Sequence, residues 1–202
     1  MKSICLTRKG VITVPKNLGV KPYLFPMPTY MIGTYNEDNT VDVMMMAWGG
    51  ICAEDMVALN LEAEHKTVAN LETRKAFTLA VPGTDTLRES DFLGIASSNK
   101  MEDKFERTGM HAVRSDKVDA PVIEEYPLTL ECKVVALEST VYGFRVLGEI
   151  VNVLADEKVL DEKGRVDPTR LNAFIFDQCQ SGYYKVGEKI GQAWKSGTRF
   201  MK

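Results

Sequence analysis

Leu128-Thr129-Leu130-Glu131-Cys132-Lys133-Val134 alternates apolar and polar side chains without a break. Side chains along a strand point to opposite faces with a period of two, so Leu128, Leu130, Cys132 and Val134 share one face and Thr129, Glu131 and Lys133 the other. The pattern predicts a half-buried strand. Phe144, Val146, Gly148 and Ile150 repeat it downstream. The long stretch from Leu128 to Leu154, interrupted at Tyr142-Gly143, reads as a hairpin. Upstream, Val57-Ala58-Leu59-Asn60-Leu61-Glu62 and the trio Phe77, Leu79 and Val81 alternate in the same way. Tyr30 to Tyr35 and Val41 to Ala47 flank Asn36-Glu37-Asp38-Asn39-Thr40, a loop composition that predicts a second hairpin.

Helical signals are short and lie between strands. Thr67 to Lys75 places Val68 and Leu71 on one face, and Thr84 to Ile95 begins with Thr84-Asp85-Thr86 as an N-cap region and carries Leu87 and Phe92 inward. Asp103 to Arg107 reads as one further turn, stopped by Gly109. Asp156 to Pro168 is charged and turn-rich, a surface excursion. The expected fold is mainly β with short helices, closed or nearly closed into a barrel so that strand edges are not left free.

The 202 residues fit one domain spanning 1–202, and no repeat or shift in composition divides it. A formal net charge of −3 argues against nucleic acid, whose binding rests on clustered Lys and Arg. No apolar run approaches the roughly 20 residues of a membrane helix. Lys2, Arg8 and Lys9 are not followed by an apolar signal core, so a cytoplasmic location and no membrane association are expected. Cys5, Cys52, Cys132 and Cys179 have no paired spacing, and His65 and His111 lie far from all of them in sequence, so no metal site is expected. The cysteines read as reduced thiols in or near a core, and a redox cofactor, if present, as organic.

Three segments invite a functional reading. Met44-Met45-Met46-Ala47-Trp48-Gly49-Gly50 does not alternate, so both faces of the strand should be covered, and its end reads either as a buried strand finishing in a glycine turn or as a surface for a planar ring. Glycines let another group approach the backbone, and Met and Trp offer polarisable flat surface. His65-Lys66-Thr67 stands at a strand-to-helix junction, where unpaired amides, a hydroxyl and an ammonium suit a phosphate, or where Thr67 merely caps the helix. Ser97-Ser98-Asn99-Lys100-Met101-Glu102-Asp103-Lys104-Phe105 holds hydroxyls, an amide and two ammonium groups. It suits a phosphate, or it is a solvated loop.

Taken together and in this order, the three segments resemble the flavin reductase-like family, and within it flavoredoxin-type proteins, from about Pro28 to Gly197. Ser98 to Phe105 resembles a family loop that usually has glycine where Asn99 stands, and Asn tolerates the left-handed backbone such a glycine would adopt. Gly143-Phe144-Arg145-Val146-Leu147-Gly148-Glu149-Ile150 and Tyr183-Tyr184-Lys185-Val186-Gly187 through Trp194 also resemble family segments. The histidine that two-component flavin reductases often carry near Arg145 is absent here.

The resemblance implies an FMN-binding split β-barrel that works as a homodimer in electron transfer. It is either an NAD(P)H-dependent flavin reductase-like oxidoreductase or a flavoredoxin-type carrier serving another redox protein. A non-catalytic FMN-binding or regulatory barrel is the alternative. FMN is the implied cofactor, with NAD(P)H as candidate donor. Met45, Met46, Ala47, Trp48, Gly49 and Gly50 would line the ring. Lys66, Thr67, Ser98, Asn99, Lys100 and Lys104 would hold the phosphate. No residue is assigned as a general acid or base, since hydride transfer to a flavin needs none.

Overall fold

The computed structural model describes the backbone of residues 5–7, 10–12 and 15–201 and the side chains of 15–201; Lys2, Arg8, Lys9 and the thiol of Cys5 lie outside that set. The strands are β1 (Cys5–Thr7), β2 (Gly10–Ile12), β3 (Met27–Pro28), β4 (Tyr30–Tyr35), β5 (Val41–Met46), β6 (Gly49–Ala53) and β7 (Met56–Leu61). After helix α1 (Lys66–Arg74) come β8 (Ala76–Val81), helix α2 (Leu87–Ile95), β9 (Ala112–Arg114) and β10 (Pro121–Ile123). The long hairpin β11 (Leu128–Thr140) and β12 (Gly143–Ala155) follows, then β13 (Phe174–Asp177) and β14 (Gly182–Lys185).

Seven strands form one sheet in the order β5-β4-β8-β11-β12-β7-β6, with every neighbouring pair antiparallel. Its edges are β5 and β6, yet these strands are consecutive in the chain and joined only by Ala47 and Trp48. Three peptide steps span at most about 11 Å, so the two edges must come together at that crossing. The sheet is therefore rolled into a barrel that stays split between β5 and β6, and the expectation of a nearly closed barrel holds.

The pattern of side chains explains the roll. Ile32, Met46, Val57, Leu59, Phe77, Leu79, Cys132 and Val146 turn inward and pack as one core. Met31, Val43, Ala80 and Leu93 build a second core outside the wall, with Phe105, Met110, Ile123 and Tyr126. The methionine strand is thus covered on both faces: Met44 and Met46 pack toward the interior, and Val43 and Met45 lie in the cluster that holds Leu93 of α2. A three-stranded sheet, β14-β13-β3, flanks the barrel.

Several expectations need correction. Gly49 and Gly50 do not end a strand; they open β6, paired with Leu59 and Ala58 of β7. Helix α2 buries Ser90 and Leu93, not Leu87 and Phe92, because a 3-10 turn at Thr84–Thr86 precedes it and resets its face. The polar face of β11 is open to solvent at Lys133 but not at Thr129 and Glu131: Glu131 is buried, and accepts from Ser115 Oγ and from Asn152 Nδ2 at 2.5 Å. Among the described thiols only Cys132 is buried, while Cys52 and Cys179 are exposed. Asn99 does not take the left-handed backbone expected of it; its side chain instead donates to the Glu64 carbonyl at 2.8 Å. The 156–168 excursion is largely exposed as expected, apart from Val159, which anchors it.

Candidate functional site

Asp42 is the charged residue of an otherwise apolar strand, and it is 1% exposed. A buried carboxylate must find donors, and Asp42 has three. Thr67 Oγ1 donates to Oδ2 at 2.7 Å, Ser98 Oγ to Oδ1 at 2.5 Å, and the Lys104 ammonium lies 3.1 Å from Oδ1. Lys104 Nζ also reaches the Ala96 carbonyl at 3.3 Å. Thr67, Ser98 and Lys104 are buried themselves. Removing one partner of a buried charge pair typically costs about 3–5 kcal/mol, so this node fixes four chain segments together.

Those segments are β5, the start of α1, the loop after α2 and the turn before Phe105. Their outer surface carries Lys66, Asn99 and Lys100, of which the last two are exposed. A cavity of about 590 Å³ opens here, lined on one side by Lys66, Ser98 and Asn99. A second, of about 420 Å³, shares Asn99 and adds Lys100 and Arg107. Asp38, Glu102 and Asp103 also line the larger cavity, and the last two line the second as well. Hydrogen bonds from Thr40 hold the Asp38 carboxyl below its usual range. Only the Lys66–Asn99 side therefore suits an anion. At the helix start His65 gives no side-chain cap, its Nδ1 is buried without a partner among the described residues, and the Val68 amide already donates to the His65 carbonyl at 3.0 Å.

The other end of β5 leads to the split. From Asp42 to Met46 is about 14 Å along the strand. Ala47 is buried, Trp48 is 50% exposed, and Gly49 and Gly50 are half-buried. The crossing is held by Asn60, whose backbone N–H and side-chain amide both donate to the Trp48 carbonyl, at 2.8 and 3.1 Å. A Cβ on Gly50 would meet nothing within 4 Å. Beside this open space stands an aromatic wall: Trp48 lies 6.3 Å from Phe176, and Phe176 5.9 Å from Tyr183. The Tyr183 hydroxyl donates to Asp91 Oδ1 at 2.7 Å and lies 3.5 Å from Met45 Sδ. Burial, and then the Asp91 carboxylate, keep that phenol protonated well above its ordinary range.

The structure thus gathers Lys66, Thr67, Ser98, Asn99, Lys100 and Lys104 at one end of β5, and places Met45 through Gly50 along it and past its other end. A flat apolar end and a cationic end joined by one strand fit a ligand that is itself planar at one end and anionic at the other, as FMN is. Asp42, Phe176, Tyr183 and Asp91 were not foreseen. Asp42 had a signal, since a charge flanked by apolar residues on both sides of a strand needs buried partners.

Comparison with known proteins agrees with this fold. Residues 23–171 match the flavin reductase like domain. The flavoredoxin of Desulfovibrio vulgaris (Miyazaki F) is 32% identical, with a TM-score of 0.86 over 91% of this chain and 100% of its own. The flavoredoxin from Methanosarcina acetivorans shares the fold at 22% identity and a TM-score of 0.83, over 94% of this chain and all of that one. An FMN-binding protein from Thermus thermophilus, in a structure with bound 1-cyclohex-2-enone, shares it at 18% identity and a TM-score of 0.72, over 90% and 99%. The match covers 149 of the 202 residues, and the chain belongs to the flavin reductase-like domain family.

Proposed function

We propose that the protein binds FMN and works as a redox protein, either as a flavin reductase-like oxidoreductase or as a flavoredoxin-type electron carrier. The observation that carries the reading is the pairing of the Trp48–Gly50 crossing with the Lys66–Lys100 anion site on opposite ends of one strand, in a chain 32% identical to a flavoredoxin. When bound, the flavin supplies the hydride and electron chemistry. The chain's own residues bind and orient it. Lys66, Asn99 and Lys100 supply donors for the phosphate. Met45, Met46, Trp48 and the two glycines give the ring a dry, flat seat with backbone groups at its edge. Tyr183, held by Asp91, and Phe176 limit access beside Trp48.

A homodimer fits this reading. The methionine strand no longer argues for it, since the segment 87–126 covers its outer face within the chain. The argument passes instead to apolar side chains left in solvent: Val20, Leu24, Ile190, Trp194 and Phe200 are all more than 69% exposed. Apolar side chains left in solvent toward both ends of the chain are what a second copy would cover. Among the described residues no helix is long and apolar enough to cross a membrane. A cytoplasmic location and a second redox protein as partner belong to the same proposal.

The test is spectroscopic. The purified protein should be yellow, or take up added FMN with quenching of its fluorescence. Anaerobic bleaching by NADH or NADPH would assign a reductase, and bleaching by dithionite alone a carrier. A colourless protein that leaves FMN fluorescence unchanged refutes the reading.

A further inference from the structure

We propose that Asp91 is a positioning residue for the ring end of the site: by accepting a hydrogen bond from Tyr183 it holds the small sheet against the barrel, so that Phe176 stands beside Trp48. The proposal deepens the FMN reading above and rests on it.

The sheet β14-β13-β3 is tied to the rest of the chain unevenly. One end is held several times over. β3 runs through Thr29 into β4, and Thr29 Oγ1 donates to the Phe174 carbonyl at 2.6 Å. Gly83 bridges Ala173, and the Thr84 amide donates to the Asn172 carbonyl at 3.0 Å. All of these act on β3 and on the residues that open β13. β14 is the outer strand, with a ladder on one side only. Among the described residues, the one hydrogen bond to oxygen that leaves β14 for an element outside its sheet runs from the Tyr183 hydroxyl to Asp91 Oδ1, at 2.7 Å.

Tyr183 is placed to transmit that hold. Directly opposite residues of an antiparallel pair lie on one face, and Tyr183 is opposite Phe176. Its ring stands edge-on to Phe174 at 5.3 Å and tilted to Phe176 at 5.9 Å, and Phe176 in turn is 6.3 Å from Trp48. Phe174 is buried, whereas Phe176 is half-buried and takes its place from these neighbours. Helix α2 delivers Asp91 to the contact. A Cβ on Gly94 would come 3.0 Å from Met45 Cβ, so the helix lies close on β5 there, and Asp91 is on the same helix face one turn earlier. Met45 Sδ, 3.5 Å from the Tyr183 hydroxyl, fills the corner between them. A carboxylate makes a strong acceptor, and this phenol is the donor it meets. Without that bond β14 keeps only packing on this side, and Phe176 is free to leave Trp48.

The test reads Trp48, which is 50% exposed, in the protein without ligand. Trp194 is the other tryptophan and is exposed, so Trp194→Phe leaves Trp48 as the sole tryptophan emitter. In that background Tyr183→Phe and Asp91→Leu should raise the acrylamide quenching of Trp48 toward that of Trp194 in a Trp48→Phe protein. Asp91→Asn keeps an oxygen that accepts from a phenol, and it should stay near wild type. In flavin titrations Tyr183→Phe and Asp91→Leu should weaken FMN by about tenfold, the scale of one hydrogen bond to a charged group. Riboflavin should weaken by the same factor, because the bond acts at the ring and not at the phosphate.

Quenching or binding that stays at wild-type values in both Tyr183→Phe and Asp91→Leu overturns the proposal. So does an Asp91→Asn protein that behaves as Asp91→Leu does, since the charge and not the hydrogen bond would then be acting. A loss confined to FMN, with riboflavin unchanged, puts the effect at the phosphate and overturns it as well. Should Asp91→Leu not fold, as judged by circular dichroism, Tyr183→Phe, which removes a single oxygen, decides alone. Wild-type protein that takes up neither flavin refutes the FMN reading and the ring-end role with it; the quenching of Trp48, read without ligand, still decides whether Asp91 holds the wall.

Discussion

Gly49 and Gly50 are neighbours in β6, and substituting each by alanine should give opposite results. A Cβ on Gly49 would stand 2.6 Å from the Ala58 carbonyl oxygen, 3.2 Å from Leu59 Cα and 2.8 Å from Met46 Cε. The methionine tip can swing away; the two backbone atoms of β7 cannot. The carbonyl contact falls about 0.8 Å short of the 3.4 Å at which ordinary van der Waals contact begins. Relief therefore requires β6 to move off β7, at the point where the chain crosses the split. Overpacking of this kind typically costs about 1–3 kcal/mol, and for a domain of this size each kcal/mol lowers the melting temperature by roughly 2–4 °C. Gly49→Ala should lose stability in a urea titration followed by circular dichroism, and it should lose FMN affinity too, because the displaced backbone is the proposed seat of the ring. Gly50→Ala meets nothing within 4 Å and neither glycine has a positive φ, so its stability should stay within about 0.5 kcal/mol of wild type. Gly50→Val should keep that stability and obstruct the ring. Gly49→Ala with wild-type stability would refute the close approach, and Gly50→Val with undiminished FMN binding would put the ring somewhere else.

Lys100→Ala should weaken FMN by about 1–3 kcal/mol and leave riboflavin indifferent, a difference that quenching titrations read directly. Burial pushes the Cys132 thiol up to about 12, so iodoacetamide at pH 8 should label Cys52 and Cys179 in the native protein and spare Cys132 until it unfolds. The same shift sets a pH dependence. Above about pH 9 the unfolded chain gives up this proton while the folded one keeps it, so stability should fall from there toward pH 12, less steeply in Cys132→Ala. Replacing all four cysteines by serine or alanine should leave the rate of flavin reduction within a few-fold of wild type, measured anaerobically by bleaching; a large loss on Cys52→Ala alone, with FMN still bound, would mean that a thiol shares the chemistry. Sedimentation at micromolar concentration should find a dimer rather than a 22.6 kDa monomer.

Where the fold was legible, one local rule decided the outcome. Period-two alternation located β7, β8, β11 and β12, and the turn composition of 36–40 located the β4–β5 hairpin, because both signals act within a few residues. Where it was not, a distant element overrode the local one. Thr129 and Glu131 read as solvent-facing, yet both are buried in the structure, and the donors that satisfy Glu131 stand 16 and 21 residues away. Gly49-Gly50 read as the end of a strand because glycine is a poor strand former; pairing with β7 and the tight approach to Ala58 make it the start of one. The segments read as a phosphate site meet at one end of β5, but their residues were not told apart. Lys104 and Lys100 look alike in sequence, and only the position of Asp42 shows that the first is neutralised inside and the second is free outside.

The crossing at Ala47-Trp48 ties the fold to the site. A barrel closed by hydrogen bonds leaves no backbone group free on its wall, since each N–H and C=O there is spent on a neighbour. This sheet closes by connectivity instead: β5 and β6 are its two edges, brought together by two residues and not by a ladder between them. On the side away from its own ladder partner, each of these edge strands has no neighbour in the sheet. Rigidity comes from Asn60 on the Trp48 carbonyl and from cores on both faces of the methionine strand. A planar heterocycle with acceptors along one edge can complete such a wall, and binding costs little reorganisation where donors are already fixed. On the proposed reading, the split is the part of the fold that makes a flavin seat possible, and Trp48-Gly49-Gly50 stand where the sheet changes edge.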